Sequence, residues 1–191
     1  KPSARQIFYC MHKYKYTANK PYQKTTAVIG DAMKHFYIHG DSSCEGMGTT
    51  LVVAVIYKDD MIMANVGDSR GYLLHNDEFR RITRDHSVVE ELVNANLITE
   101  EEARVHPRRN QITRAMGAEE IIIVDIFRKK IEKGDMILLA TDGLTGCVED
   151  EDIKNIIKQD KDIKEICEDL INQANDNSGK DNISVILSKI D

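Results

Sequence analysis

The sequence predicts an α+β fold, an antiparallel β-sandwich flanked by helices. Three observations lead there. Apolar, β-branched runs of five to seven residues come in pairs around polar turns, as the two arms of hairpins do. Stretches with apolar residues at helical spacing are segregated from those pairs, which favours helices packed outside sheets. The chain has 191 residues with three prolines, and it shows no low-complexity linker or internal repeat. One domain spanning residues 1–191, with a core of its own, follows from that length.

Taken in order, residues 4–14 and 22–38 carry helical patterns upstream of the first strand. LVVAVIY (51–57) is a β-branched run, Lys58-Asp59-Asp60 a turn and MIMANV (61–66) a second apolar run. RGYLLH (70–75) and FRRIT (79–83) flank the turn Asn76-Asp77-Glu78, a second hairpin. Ser87 to Asn96 reads as a short helix, and Thr99-Glu100-Glu101-Glu102 as a capping box opening another. IIIVDIF (121–127) and MILLAT (136–141) surround Lys133-Gly134-Asp135, a third hairpin. Val148 to Gln159 carries Ile153, Ile156 and Ile157 behind an acidic first turn, as a helix start prefers. Ile163, Ile166, Cys167, Leu170, Ile171 and Ala174 mark a longer amphipathic helix, and NISVILS (182–188) a last strand.

Bulk properties narrow the function. A net charge of −6 argues against nucleic acid as the partner, because phosphate backbones demand a basic surface. A local basic cluster still permits a phosphorylated substrate. No apolar run approaches the ~20 residues that span a bilayer, and no signal peptide opens the chain, so no membrane is expected. Cys10, Cys44, Cys147 and Cys167 form no CxxC pair. They read as reduced thiols in a cytoplasmic protein, Cys167 on the apolar face of its helix.

Chemistry concentrates at strand ends. Asp142 follows the run MILLA, Asp68 follows the strand 61–66, and Asp181 precedes the strand at 182–188. Each lies next to or near glycine, where backbone can approach a ligand closely. Any one of them alone is an ordinary turn residue. Three acids, each abutting an apolar strand, instead suggest hard cations bound through oxygen, magnesium or manganese before zinc. Such ions activate water and neutralise a phosphoryl group. Competing motifs fail: GMGTTLVV (46–53) runs into a strand rather than a helix, there is no P-loop lysine, and no G-x-S-x-G elbow occurs. His86 and His106 admit either acid–base work or a structural place.

Five segments occur in a distinctive order: GMGTT (46–50), VGDSR (66–70), RDHSVVEELVNANLITEEEARVHPRRNQITRAMG (84–117), LLATDGLTG (138–146) and GKDNIS (179–184). Together, over residues 46–191, they closely resemble the bacterial metal-dependent protein serine/threonine phosphatases, the PPM or type-2C class. The resemblance implies a bacterial source and a manganese or magnesium centre of two or three ions at one end of the sheets. It implies Asp142 and Asp181 as ligands of the first metal, with Asp68 as ligand of an additional, weaker site. Asn182 stands beside Asp181 as in the family pattern. The helical region would span 1–45, sheet 46–84, an active-site flap 85–117, and sheet and helices 118–191. On that flap Arg108 and Arg109 are either contacts for a phosphopeptide or solvated surface charge. The implied reaction is hydrolysis of phosphoserine and phosphothreonine in proteins by a metal-activated water, with no covalent enzyme intermediate. Its partners would be phosphoproteins, with a serine/threonine kinase or its targets among them.

The departure from the family pattern is upstream. An early arginine and the Asp-Gly-Met-Gly-Gly turn, whose Asp bridges both metals, have no counterpart, and residues 1–45 resemble only weakly the two-helix region that follows that turn. The sandwich is therefore expected to be N-terminally incomplete and its catalysis impaired. Three explanations stand: a fragment, a catalytically inactive relative that binds a phosphoprotein or regulator, or a second chain supplying the missing strands.

Overall fold

In a computed structural model that describes residues 48–118 and 121–191, the run at 51–57 becomes strand β1 (Leu51–Tyr57) and the next becomes β2 (Asp60–Val66). They pair antiparallel from Leu51 opposite Val66 to Tyr57 opposite Asp60. The second hairpin joins β3 (Arg70–His75) to β4 (Glu78–Arg81) through Asn76 and Asp77. Both turn residues have positive φ, 46° and 71°, the type I′ geometry that matches strand twist. Gly48–Asp191 packs as one unit. The helices expected at 4–14 and 22–38, Cys10 and Cys44 lie outside the described residues.

The expected third hairpin does not form. Strand β5 (Asp125–Lys130) pairs with β2, and β6 (Met136–Ala140) lies between β3 and β7 (Val185–Lys189). The turn at Lys133-Gly134-Asp135 therefore carries the chain from one sheet to the other. Arg128 and Lys130 of β5 both reach Asp60 at the start of β2, exposed pairs that accompany this pairing. The uncharged β6 instead takes a central place with a neighbour on each side. Strand β5 also starts four residues later than the expected 121, because its pairing with β2 ends at Asn65 opposite Asp125. Beyond that point β2 turns away at Gly67, and Ile121 and Ile123 remain exposed.

Among the described residues the strands form two antiparallel sheets, β1-β2-β5 and β4-β3-β6-β7. Alternation along the strands builds two apolar layers. Met61 and Met63 of β2 meet Leu73 and Ile137 between the sheets. On the far side of the second sheet, Tyr72, Leu138 and Ala140 meet the helices. Those helices follow β6: α3 (Asp142–Thr145), α4 (Asp150–Ile157) and α5 (Ile163–Asn177), by the numbering used below, in which α1 is Val88–Asn94 and α2 is Glu100–Val105. Ile153, Ile157, Ile166, Leu170 and Ala174 supply the buried helical faces. Both α2 and α5 open with complete capping boxes, Thr99 with Glu102 and Asp162 with Glu165.

Candidate metal centre

Register brings the three carboxylates to one end of the second sheet. Arg70 at the start of β3 faces Ala140 at the end of β6, so Asp68 and Asp142 each lie two residues beyond neighbouring strand ends. Ala140 also faces Val185 of β7, and Asp181 lies four residues before it. All three acids line one cleft of about 680 Å³, together with Arg70, Asp85 and Arg109.

Local bonding fixes each turn. Thr141 and Ser184 exchange bonds, Thr141 N–H to the Ser184 carbonyl at 3.0 Å and Ser184 N–H to Thr141 Oγ1 at 3.0 Å. That zipper holds the start of α3 against the segment carrying Asp181, whose Oδ1 accepts from Asn182 N–H at 2.7 Å. Gly67, with φ of 103°, makes the turn before Asp68, and Asn65 Nδ2 donates to its carbonyl at 3.1 Å. Ser69 hydroxyl bonds Thr50 hydroxyl at 2.8 Å on the same turn.

Electrostatics follow from this crowding. Burial first, then the neighbouring Asp142 carboxylate, pushes Asp68 up to about 6. Burial and then Asp181 raise Asp142 as well. Among the described residues none of the three acids makes an ion pair, so the charge that would balance them is not supplied by a side-chain partner. Arg70 only tempers the repulsion. Burial disfavours its charge, but Asp85 grips it in a bidentate pair of 2.9 and 2.7 Å to Oδ2, and its proton is held more tightly than in water.

An all-oxygen set of unpaired, mutually repelling carboxylates fits a hard divalent cation. It fits as part of a shell: among the described residues no three such ligands are gathered closely enough to hold an ion by themselves.

Other expected residues divide. Arg109 lines the cleft, while Arg108 bonds Gln111 Oε1 at 2.7 Å and is not among the cleft walls. His86 is buried and bonded to backbone, and His106 Nδ1 accepts from Arg108 N–H. Cys167 packs against the helical core, and Cys147 and Cys167 are free thiols. The Arg70–Asp85 pair escaped sequence reasoning, since its members stand 15 residues apart with no periodic signal. No helix among the described residues is long and apolar enough to cross a membrane.

Known proteins share this fold and sequence. The family model described as protein phosphatase 2C matches residues 13–183. The chain is 42% identical over 151 residues to the serine/threonine phosphatase stp of Listeria welshimeri, covering 79% of this chain and 60% of that protein. It is 40% identical over 147 residues to the protein phosphatase PhpP of Streptococcus pneumoniae, covering 77% and 60%. The chain thus spans about three fifths of the length of these curated relatives. Among solved structures, the serine/threonine phosphatase Stp1 from Staphylococcus aureus matches with a TM-score of 0.83 at 36% identity, covering 94% of this chain and 74% of that one. The catalytic domain of the serine threonine protein phosphatase PstP, in complex with 2 manganese ions, matches with a TM-score of 0.80 at 27% identity, covering 99% and 81%. Carboxylates converging from three strand ends are thus set in a sandwich and a sequence shared with these proteins, and the chain belongs to the protein phosphatase 2C family.

Proposed function

We propose that the chain carries the site for metal-dependent hydrolysis, in a bacterial cytoplasm, of phosphoserine and phosphothreonine in proteins that serine/threonine kinases have modified, at a rate impaired in these 191 residues by the lack of the Asp that bridges both metals in the family pattern. The observation that carries this reading is the meeting of Asp68, Asp142 and Asp181 in one cleft without ion-pair partners. Asp142 and Asp181 would hold one manganese or magnesium ion, and Asp68 an additional, weaker one. Bound there, the ions would supply positive charge to the phosphoryl oxygens and acidify water for attack on phosphorus. The chain's own residues position the reaction. The Thr141–Ser184 zipper keeps Asp142 beside Asp181, and the Asp85-bound Arg70 limits the repulsion between the acids. From the flap, Arg109 lines the cleft and would meet the phosphopeptide, while Arg108 is bonded to Gln111 outside the cleft walls.

Hydrolysis of p-nitrophenyl phosphate by this chain, with and without manganese, tests the proposal alongside calorimetric manganese binding. Manganese-dependent turnover that Asp142→Asn abolishes supports it. Binding and turnover equal in Asp142→Asn and the parent sink the assignment of that residue.

A second reading is favoured by the incompleteness of the carboxylate shell among the described residues. It makes the chain an inactive, phosphatase-like module that binds a phosphoprotein or regulator. In that case replacing Asp68, Asp142 and Asp181 together by Asn leaves phosphopeptide binding intact, and manganese has no effect on it.

A further inference from the structure

Asp68 is held where its surroundings oppose its charge. It is half-buried beside the Asp142 carboxylate and makes no ion pair among the described residues. What keeps it there is the backbone on either side, at Gly67 and Ser69, and one side chain touches both. Thr50 precedes β1, and the register that sets Leu51 opposite Val66 carries Thr50 to Gly67. The Thr50 and Ser69 hydroxyls share a bond of 2.8 Å. On the other flank of Asp68, a Cβ added to Gly67 would run into the Thr50 methyl and stand 2.6 Å from Thr50 Cβ. Gly67 keeps a φ of 103°, and the room that a side chain would take is filled by the threonine.

Ser69 is 5% exposed, and the bond to Thr50 is the only hydrogen bond of its side chain among the described residues. A buried hydroxyl left without a partner is costly, so the exit of the turn depends on the threonine. The bonds that Asn65 and His86 make to Gly67 hold only its entry. Stiffness has a purpose here. Acids that repel one another move apart unless uncharged contacts hold their turns. A small divalent ion such as magnesium tolerates little displacement of its ligands.

We propose that Thr50 is a positioning residue: with its hydroxyl on Ser69 and its methyl behind Gly67, it presents the Asp68 carboxylate to a cation. The proposal rests on the reading of Asp68 as part of a cation centre. Thr50 lies 18 residues upstream of Asp68 and reaches it only because β1 and β2 pair, so it acts through the turn and not as a ligand.

Three variants divide the contacts. Thr50→Val keeps the shape and the methyl and loses the hydroxyl. Thr50→Ser keeps the hydroxyl and loses the methyl. Ser69→Ala removes the hydroxyl's partner. Calorimetric titration of the whole chain with manganese reads them, and Asp68→Asn identifies the binding step that depends on Asp68. Thr50→Val and Ser69→Ala should each weaken that step about tenfold, the effect usual for a group that orients a ligand. The double variant should bind no more weakly than the weaker single, because both changes remove one bond. Thr50→Ser should fall between the parent and Thr50→Val. In the Asp68→Asn background, Thr50→Val should leave the remaining manganese binding unchanged. A merely structural threonine would weaken binding equally with and without Asp68. That result, additive losses in the double variant, or parental affinity in Thr50→Val overturns the proposal while the cation reading stands. A parent that binds no manganese, or an Asp68→Asn variant that loses no step, overturns the cation reading and the proposal together.

Discussion

Gly143 sits where an added Cβ would come within 2.5 Å of the Asn182 carbonyl oxygen. That oxygen belongs to backbone and has little room to move, so Gly143→Ala should push the Asp181 segment away from Asp142. A displacement near 1 Å between cooperating groups costs on the order of 100-fold in rate. We expect a loss of that size in manganese-dependent turnover, with far-UV circular dichroism unchanged; parental turnover would show that the two segments need not touch. The Arg70–Asp85 pair behaves differently, because it is buried and its loss leaves a charge without its partner. Asp85→Ala should cost about 3–5 kcal/mol of stability in urea unfolding, the range for breaking one side of a buried pair. Sequence pattern made the three site acids legible, because an acid at the mouth of an apolar strand is costly unless something meets it. Asp85 lay one position from His86 in a polar stretch, RDHS, where nothing local separates a buried acid from a solvated one.

At the scale of elements, the hairpins β1–β2 and β3–β4 were legible because their arms and turns are contiguous in sequence. The pairing of β5 was not. A turn with Gly134 between two apolar runs has the pattern of a hairpin, yet β5 pairs with β2, bringing Arg128 to Asp60 across 68 residues of chain. Long-range pairing of this kind leaves no periodic trace. Helices α4 and α5 were legible from spacing, and their burial gives a direct test. Leu170 of α5 is fully buried among Tyr72, Leu138, Ile153 and Ile166. Leu170→Ala should cost about 2–5 kcal/mol, the range for leucine truncation in a packed core. The exposed Leu97, at 69% accessibility, should tolerate the same change with a shift near zero. Equal costs at the two positions would mean that α5 does not cover the second sheet as described.

Among the described residues, carboxylates without ion-pair partners gather at one end of the second sheet, and the stability of the molecule should register their charge as a pH dependence. The folded state holds Asp68 at about 6 against an ordinary value of 3.8, so folding favours the protonated form. The sign follows from linkage. Below pH 4 the carboxyl is protonated in both states and no penalty exists. As pH rises from about 4 to 6 the unfolded chain releases its proton first, and the folded protein loses stability across that window. Asp142 is raised by the same causes and adds to the trend. Acids held in ion pairs elsewhere, such as Asp60 beside Arg128 and Lys130, are lowered and pull the other way. A difference between variants is therefore the right readout. In a chelator, Asp68→Asn should melt above the parent by a few degrees at pH 7, with the gap closing toward pH 4. Manganese at pH 7 should raise the parent more than the variant, since a bound cation relieves the repulsion that burial imposes. A gap independent of pH would mean that the strand ends hold their acids without electrostatic cost, and that the cleft has no call for a cation. A gap that closes on acidification, and is erased by manganese, would tie the stability of the fold to the same charge that the proposed chemistry uses.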